Sequence, residues 1–170
     1  MASEAPTPGL SVSKRFNLPD SDLTIQSSDN VLFKVHRINL EMHSQVFADA
    51  GGSTVGTAKD EIVSLSETSQ VLELMLQYVY LQPQPDLRAV EWDVVKELAE
   101  AVEKYEIYAA RGVCSHRMRE CIMNHSIDVL LYSVRHKYTE IIDESAEATL
   151  DIPPYTMLSC VPPNVFAAWV

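Results

Sequence analysis

The chain predicts an α+β fold, and three features of its patterning carry that expectation. Val31, Phe33 and Val35 alternate with Leu32 and Lys34 at the period of a half-buried strand, and His36, Leu40, Ser44 and Phe47 then recur every three or four residues. A strand thus feeds a helix with no Gly or Pro between them. Two further short alternating stretches lie nearby, and from Val71 onward apolar residues return at helical spacing. Together these imply a short three-stranded sheet packed on a cluster of five to six helices, with a helical extension at the C-terminal end.

Residues 1–19 are rich in Ser, Pro and small residues, with Leu10, Val12, Phe16 and Leu18 as the sizeable apolar groups, and read as a flexible leader. Leu23 and Ile25 alternate with Asp22, Thr24 and Gln26. The cluster Ser27-Ser28-Asp29-Asn30 supplies turn chemistry before Val31, so the two segments form a β-hairpin. A helix then spans about Arg37 to Ala48, ended by Gly51-Gly52. Glu61 to Leu65 has strand alternation, and Ser66 or Thr68 can cap the helix that follows. That helix carries Val71, Leu72, Met75, Tyr78 and Val79 on one face and stops before Pro83 and Pro85.

From Glu91 to Tyr105 an apolar stripe (Trp92, Val95, Leu98, Ala99, Val102) opposes a charged face. One more stretch runs through Ile107, Cys114, Met118 and Ile122, a shorter one through Ile127, Leu130 and Val134, and a last helix from Glu140 to Leu150. The end of the sequence is Pro-rich and carries Phe166 and Trp169. Two such rings call for burial, so the tail is expected to pack on the helices. The resulting divisions are a leader over 1–19, a domain over 20–125, and an extension with its tail over 126–170.

Thirteen basic residues face twenty-four acidic ones, a formal charge of -11, which repels phosphate backbones and anionic membrane surfaces. Nucleic acid and membrane are therefore not expected partners. No apolar run reaches membrane-spanning length, and the opening residues lack the pattern of a secretory signal. Cys114, Cys121 and Cys160 are an odd number, as suits reduced thiols. A soluble protein of the cytoplasm or nucleus is the expectation.

The order F-x-x-H-R-x-x-L-x-x-x-S-x-x-F, from Phe33 to Phe47 and preceded by Asp22, resembles the signature of the BTB/POZ domain. Ile62-Val63-Ser64-Leu65 followed by Val71 to Tyr80, ending Tyr-Val-Tyr, and Leu98-Ala99-Glu100-Ala101-Val102-Glu103-Lys104-Tyr105 resemble later motifs of that family. The segment around His136-Lys137-Tyr138 resembles the helical extension of fungal members. The resemblance implies a non-catalytic module that binds protein partners or itself, with no cofactor and no metal. It also implies a charged pocket at a dimer groove, matched here by Asp22 and Arg37 with His36 beside them. A structural ion pair is the alternative for Asp22 and Arg37, which can meet bidentately across the hairpin.

Two departures narrow the implied uses. Only about twenty residues precede Asp22, with too few apolar positions for the helix and swapped strand of many dimeric members. Ala48 to Ser53 lacks the φ-x-E motif of members that engage a cullin scaffold, so a cullin ligase adaptor is the less favoured alternative.

Other residue types invite chemistry. Cys114, His116, Cys121 and His125 are zinc-type ligands, yet on one predicted helix the first and last lie about 16 Å apart, beyond the reach of one ion. Gly51 to Gly56 is glycine-rich but lacks the Lys-Ser/Thr of a phosphate loop, and follows a helix rather than preceding one. A small hydrolase using His36 or His125 is the alternative from another class. Against it, His36 opens an apolar stripe and reads as a hydrogen-bonded core residue. The acidic face of the Trp92 to Tyr105 helix is either solvated or meets a basic partner.

Overall fold

The computed structural model describes residues 9–53 and 62–170. Strands β1 (Ser11–Asn17), β2 (Leu23–Gln26), β3 (Val31–Val35) and β4 (Ile62–Ser64) form one mixed sheet in the order β1-β3-β2-β4. β2 and β3 are the expected antiparallel hairpin, with Leu23 opposite Val35 and Ile25 opposite Phe33. Asn30 takes the left-handed conformation in its turn (φ 64) and accepts a hydrogen bond from Gln26 Nε2, a backbone region that Asn tolerates. β4 adds parallel to β2. Leu23, Ile25, Phe33 and Val35 point inward and are buried, the period-2 face that the sequence shows.

The sheet has four strands, not three, because part of the expected leader is ordered. Ser11–Asn17 runs parallel to β3, and Phe16 is buried against Phe33 and Tyr80. The alternation is hidden because β1 is irregular between Val12 and Asn17, where Ser13 Oγ accepts the N–H groups of Arg15 and Phe16. A strand that turns on its own side chain loses the period of 2. That bulge, with exposed Lys14 and Arg15, also blunts the sheet edge. Residues 1–8 lie outside the described residues.

Helices α1 (Arg37–His43) and α2 (Gln45–Ser53) replace the single expected helix. Ser44 between them is extended (φ -144, ψ 122) and pairs with Ile107. Its hydroxyl donates to the Tyr105 carbonyl and accepts the Phe47 N–H. These bonds outweigh the one helical turn they interrupt. α2 continues through Gly51 and Gly52, although a stop was expected there. At Gly51 a Cβ would overlap the Glu41 carboxylate of α1, so a bare backbone suits the close approach. The rest of the glycine-rich loop, Thr54 to Gly56, lies outside the described residues.

Helix α3 (Ser69–Leu76) ends before Gln77, and Tyr78 and Val79 continue in hydrogen-bonded turns that keep them buried. α4 (Trp92–Lys104) packs on α3 and on α5 (Tyr108–Glu120). α6 (Ile122–His136) and α7 (Thr139–Glu147) are neighbours, and Lys137 between them is left-handed (φ 62). The Pro-rich tail forms two short helices, α8 (Pro154–Cys160) and α9 (Pro163–Trp169), each with Pro in its first turn, where its missing N–H costs nothing. Met157, Val161 and Val165 pack on Leu130 of α6 in a small second core, and Trp169 Nε1 donates to Thr149 at 2.8 Å. Among the described residues the chain forms nine α-helices, more than expected, because Ser44 splits one helix and the tail adds two. No helix among these residues is long and apolar enough to cross a membrane.

Candidate functional site

The strand-to-helix joint that the sequence singles out is built by register. Leu23 faces Val35, so the residues just outside that pair, Asp22 and His36, are brought together. His36 is the N-cap of α1 and supplies no side-chain cap. The first helical amide, the Arg37 N–H, donates instead to Asp22 Oδ1 at 2.7 Å. A carboxylate there satisfies an orphan donor and complements the helix dipole. The sequence allows the Asp22 carboxylate and the Arg37 guanidinium to meet across the hairpin. The bond described between the two residues runs from the Arg37 backbone amide, in a geometry that the register of the hairpin fixes.

His36 is half-buried rather than a fully packed core residue. Its N–H donates to the Tyr80 hydroxyl at 2.8 Å, Nδ1 lies 3.3 Å from the same hydroxyl, and Nε2 lies 3.3 Å from Asp20. Burial, opposed by hydrogen bonds from the His36 amide and Asn39, raises the Tyr80 hydroxyl pKa. Tyr80 in turn packs on Phe16 of β1. Asp22, His36 and Arg37 therefore share one joint, and Asp20 and Tyr80 complete it. Tyr80 was legible only as the end of its motif, since its contact spans forty-four residues.

A second aspartate performs the same task at the far end of the hairpin. Of the two expected caps of α3, Ser66 and Thr68, it is Thr68 that stands at the N-cap, and it makes no side-chain cap bond. Asp29 takes the Ser69 N–H at 2.7 Å and the Ser69 hydroxyl at 2.6 Å. The signal for Asp29 was its place in a Ser-Ser-Asp-Asn turn, which marks the turn and not its remote target.

Beyond the joint, α1 presents an apolar surface. Ile38 is 57% and Met42 72% exposed, one turn apart, and Val46 follows on α2 at 38%. Side chains at i and i+4 share a face, so Ile38 and Met42 form one patch next to Arg37.

The zinc-type residues are dispersed. The helix expected to hold them breaks at Cys121, leaving Cys114 and His116 on α5 and His125 at a kink in α6 (φ -140, ψ 42). Cys114 is fully buried, and burial, with the Glu103 carboxylate adding, pushes its thiol up to about 12. His116 is exposed near Glu120, and the His125 ring stacks on Trp92 at 4.1 Å. Among the described residues no three His, Cys, Asp or Glu are placed to hold one metal ion.

The charged face of α4 is mostly engaged with the extension. Trp92 Nε1 donates to Asp128 at 2.9 Å, Glu100 meets Arg135 and, at 3.0 Å, His136, and Glu103 accepts the Tyr132 and Tyr138 hydroxyls. Arg111 Nε lies 2.9 Å from the same Glu103, whose side chain is only 8% exposed. A carboxylate this deeply buried costs free energy unless it has such partners.

No curated protein matches the chain. The family model of the BTB/POZ domain matches residues 14–122, close to two-thirds of the sequence. Its span starts inside β1 and takes in the hairpin, the capped α1, β4 and α3 to α5, which is the part of the fold that the motifs between Phe33 and Tyr105 occupy. On that match, and on a mixed sheet under helices that places the motif residues in one joint, the chain belongs to the BTB/POZ family, a typically non-catalytic protein–protein interaction domain.

Proposed function

We propose that the chain works by self-association through the α1 face, with Ile38 and Met42 buried against the same residues of a second copy. The observation that carries this reading is the exposure of two large apolar side chains one turn apart on the helix whose start is fixed by Asp22. A patch of this kind is self-complementary about a two-fold axis. Burying one such side chain stabilises an interface by roughly 1.5–3 kcal/mol, so a single polar replacement weakens it tenfold or more. The Asp22, His36 and Arg37 joint sets the angle of α1 and lines the edge of the contact.

Sedimentation equilibrium tests it. The full chain is expected to dimerise with a concentration-dependent mass, and Met42→Asp to shift the dissociation constant by about tenfold or more with unchanged far-UV circular dichroism. Asp22→Asn combined with Arg37→Gln is expected to impair association while leaving helical content intact. A chain that stays monomeric at all concentrations, or a Met42→Asp protein that associates as before, refutes the reading.

A further inference from the structure

A concavity of about 520 Å³ lies between α4 and α6 and uses none of the α1-face residues. One wall falls inside the family match, and the other, carrying Asp128 to Arg135, falls beyond it. Lys96 Nζ reaches Asp128 Oδ2 at 3.3 Å and Glu100 reaches Arg135, so the two helices run in the same sense with a trough between them. The floor is apolar: Ala101 and Met118 are buried, and Leu131 is half-buried beside them. Tyr132 also lines it, but its hydroxyl is committed to Glu103. At the end of the trough, beside Glu67, Ser66 and Thr68 add hydroxyls to its lining, so the middle of the trough offers packing and its end is polar.

The rim is charged and almost balanced. Lys96 is matched by Asp128, Arg135 by Glu100, and at the end of the trough Lys104 by Glu67 at 2.8 Å. Glu97, exposed on α4, is the remaining rim carboxylate, and no partner is described for it among these residues. An uncompensated negative rim on a chain of charge -11 attracts cations and repels anions. An apolar floor with one unmatched carboxylate at its lip suits an anchor side chain next to a positive charge. From this we infer that the α4–α6 trough receives a segment of a partner protein that presents an aliphatic or aromatic anchor beside a Lys or Arg. The anchor rests on Ala101, Met118 and Leu131, and the cation meets Glu97.

Fluorescence anisotropy with the full chain at physiological salt tests this. The probes are labelled decapeptides carrying one Phe or Leu flanked by Lys in a Gly/Ser background, and the same peptides with Glu for Lys. The Lys set is expected to bind in the micromolar range and the Glu set to bind at least about tenfold more weakly. Glu97→Lys is expected to weaken the Lys set about fivefold, as inversion of an exposed rim charge does. Met42→Asp, which tests the α1 face, should leave these affinities unchanged. Absence of binding, equal binding of both sets, or indifference to Glu97→Lys overturns the inference. A Glu97→Lys chain with altered sedimentation would make a second copy the occupant, which also overturns it.

Discussion

Two carboxylates of one hairpin cap two different helices, Asp22 at the start of α1 and Asp29 at the start of α3. Loss of a cap costs about 1 kcal/mol, so Asp29→Ala is expected to lower stability by that amount in urea unfolding at pH 7. Burial raises the Asp29 pKa, but hydrogen bonds from Ser27 and Ser69 outweigh it and the net value falls below the ordinary 3.8. A lowered folded-state pKa gives stability that is present above the ordinary value and is lost as pH falls through the folded one. The gap between wild type and Asp29→Ala should therefore be constant from pH 7 to about 5 and shrink below 3.8; a gap still undiminished when the carboxyl is fully protonated contradicts this account. Glu67 behaves alike, since hydrogen bonds from Lys104 and Tyr105 override the upward pull of its burial. At this scale the sequence located Asp22, His36 and Arg37 but not the atoms they use. Which atom Asp22 bonds depends on the register of β2 and β3, and that is a property of the pair rather than of either residue.

Periodicity located α3, α4 and the β2–β3 hairpin because each buries a regular face against neighbours on one side. It failed where a side chain bonds locally to the backbone: Ser13 disguised β1, and Ser44 cut a helix in two. Both serines are buried, so their hydroxyls must find partners, and the nearest are main-chain groups. The tail illustrates the opposite case, since Phe166 and Trp169 signalled packing while the Pro-Pro pairs turned out to start helices. α8 and α9 rest on a small core centred on Met157, apart from the main one. Met157→Ala removes a fully buried side chain at a cost of about 2–5 kcal/mol. Hydrogen exchange should then accelerate across residues 150–170 while the amides of β2 and β3 keep their protection. Equal acceleration in the sheet would mean that the two cores open as one.

At the level of the molecule, the extension is part of the body's core. Val129, Tyr132 and Ile141 pack in the same cluster as the sheet residues, and Asp128, Tyr132 and Arg135 bond to α4. Arg119 adds bonds to Glu144 of α7. A protein truncated after residue 125 would leave Glu103 without its tyrosines and the Tyr132 site open. It is expected to lose cooperative thermal unfolding and near-UV dichroism, whereas the full chain melts in one main transition; a truncated protein with a sharp transition and native near-UV signal would show that the body stands alone. The family and its α+β plan were readable from sequence because ordered motifs and amphipathic faces are local, and local patterns survive without coordinates. The α4–α6 trough, the parallel β1 and the capping of α1 by Asp22 were decided by tertiary structure alone. Each depends on the relative placement of segments far apart in the chain, and that placement is set by packing, register and paired charge acting together.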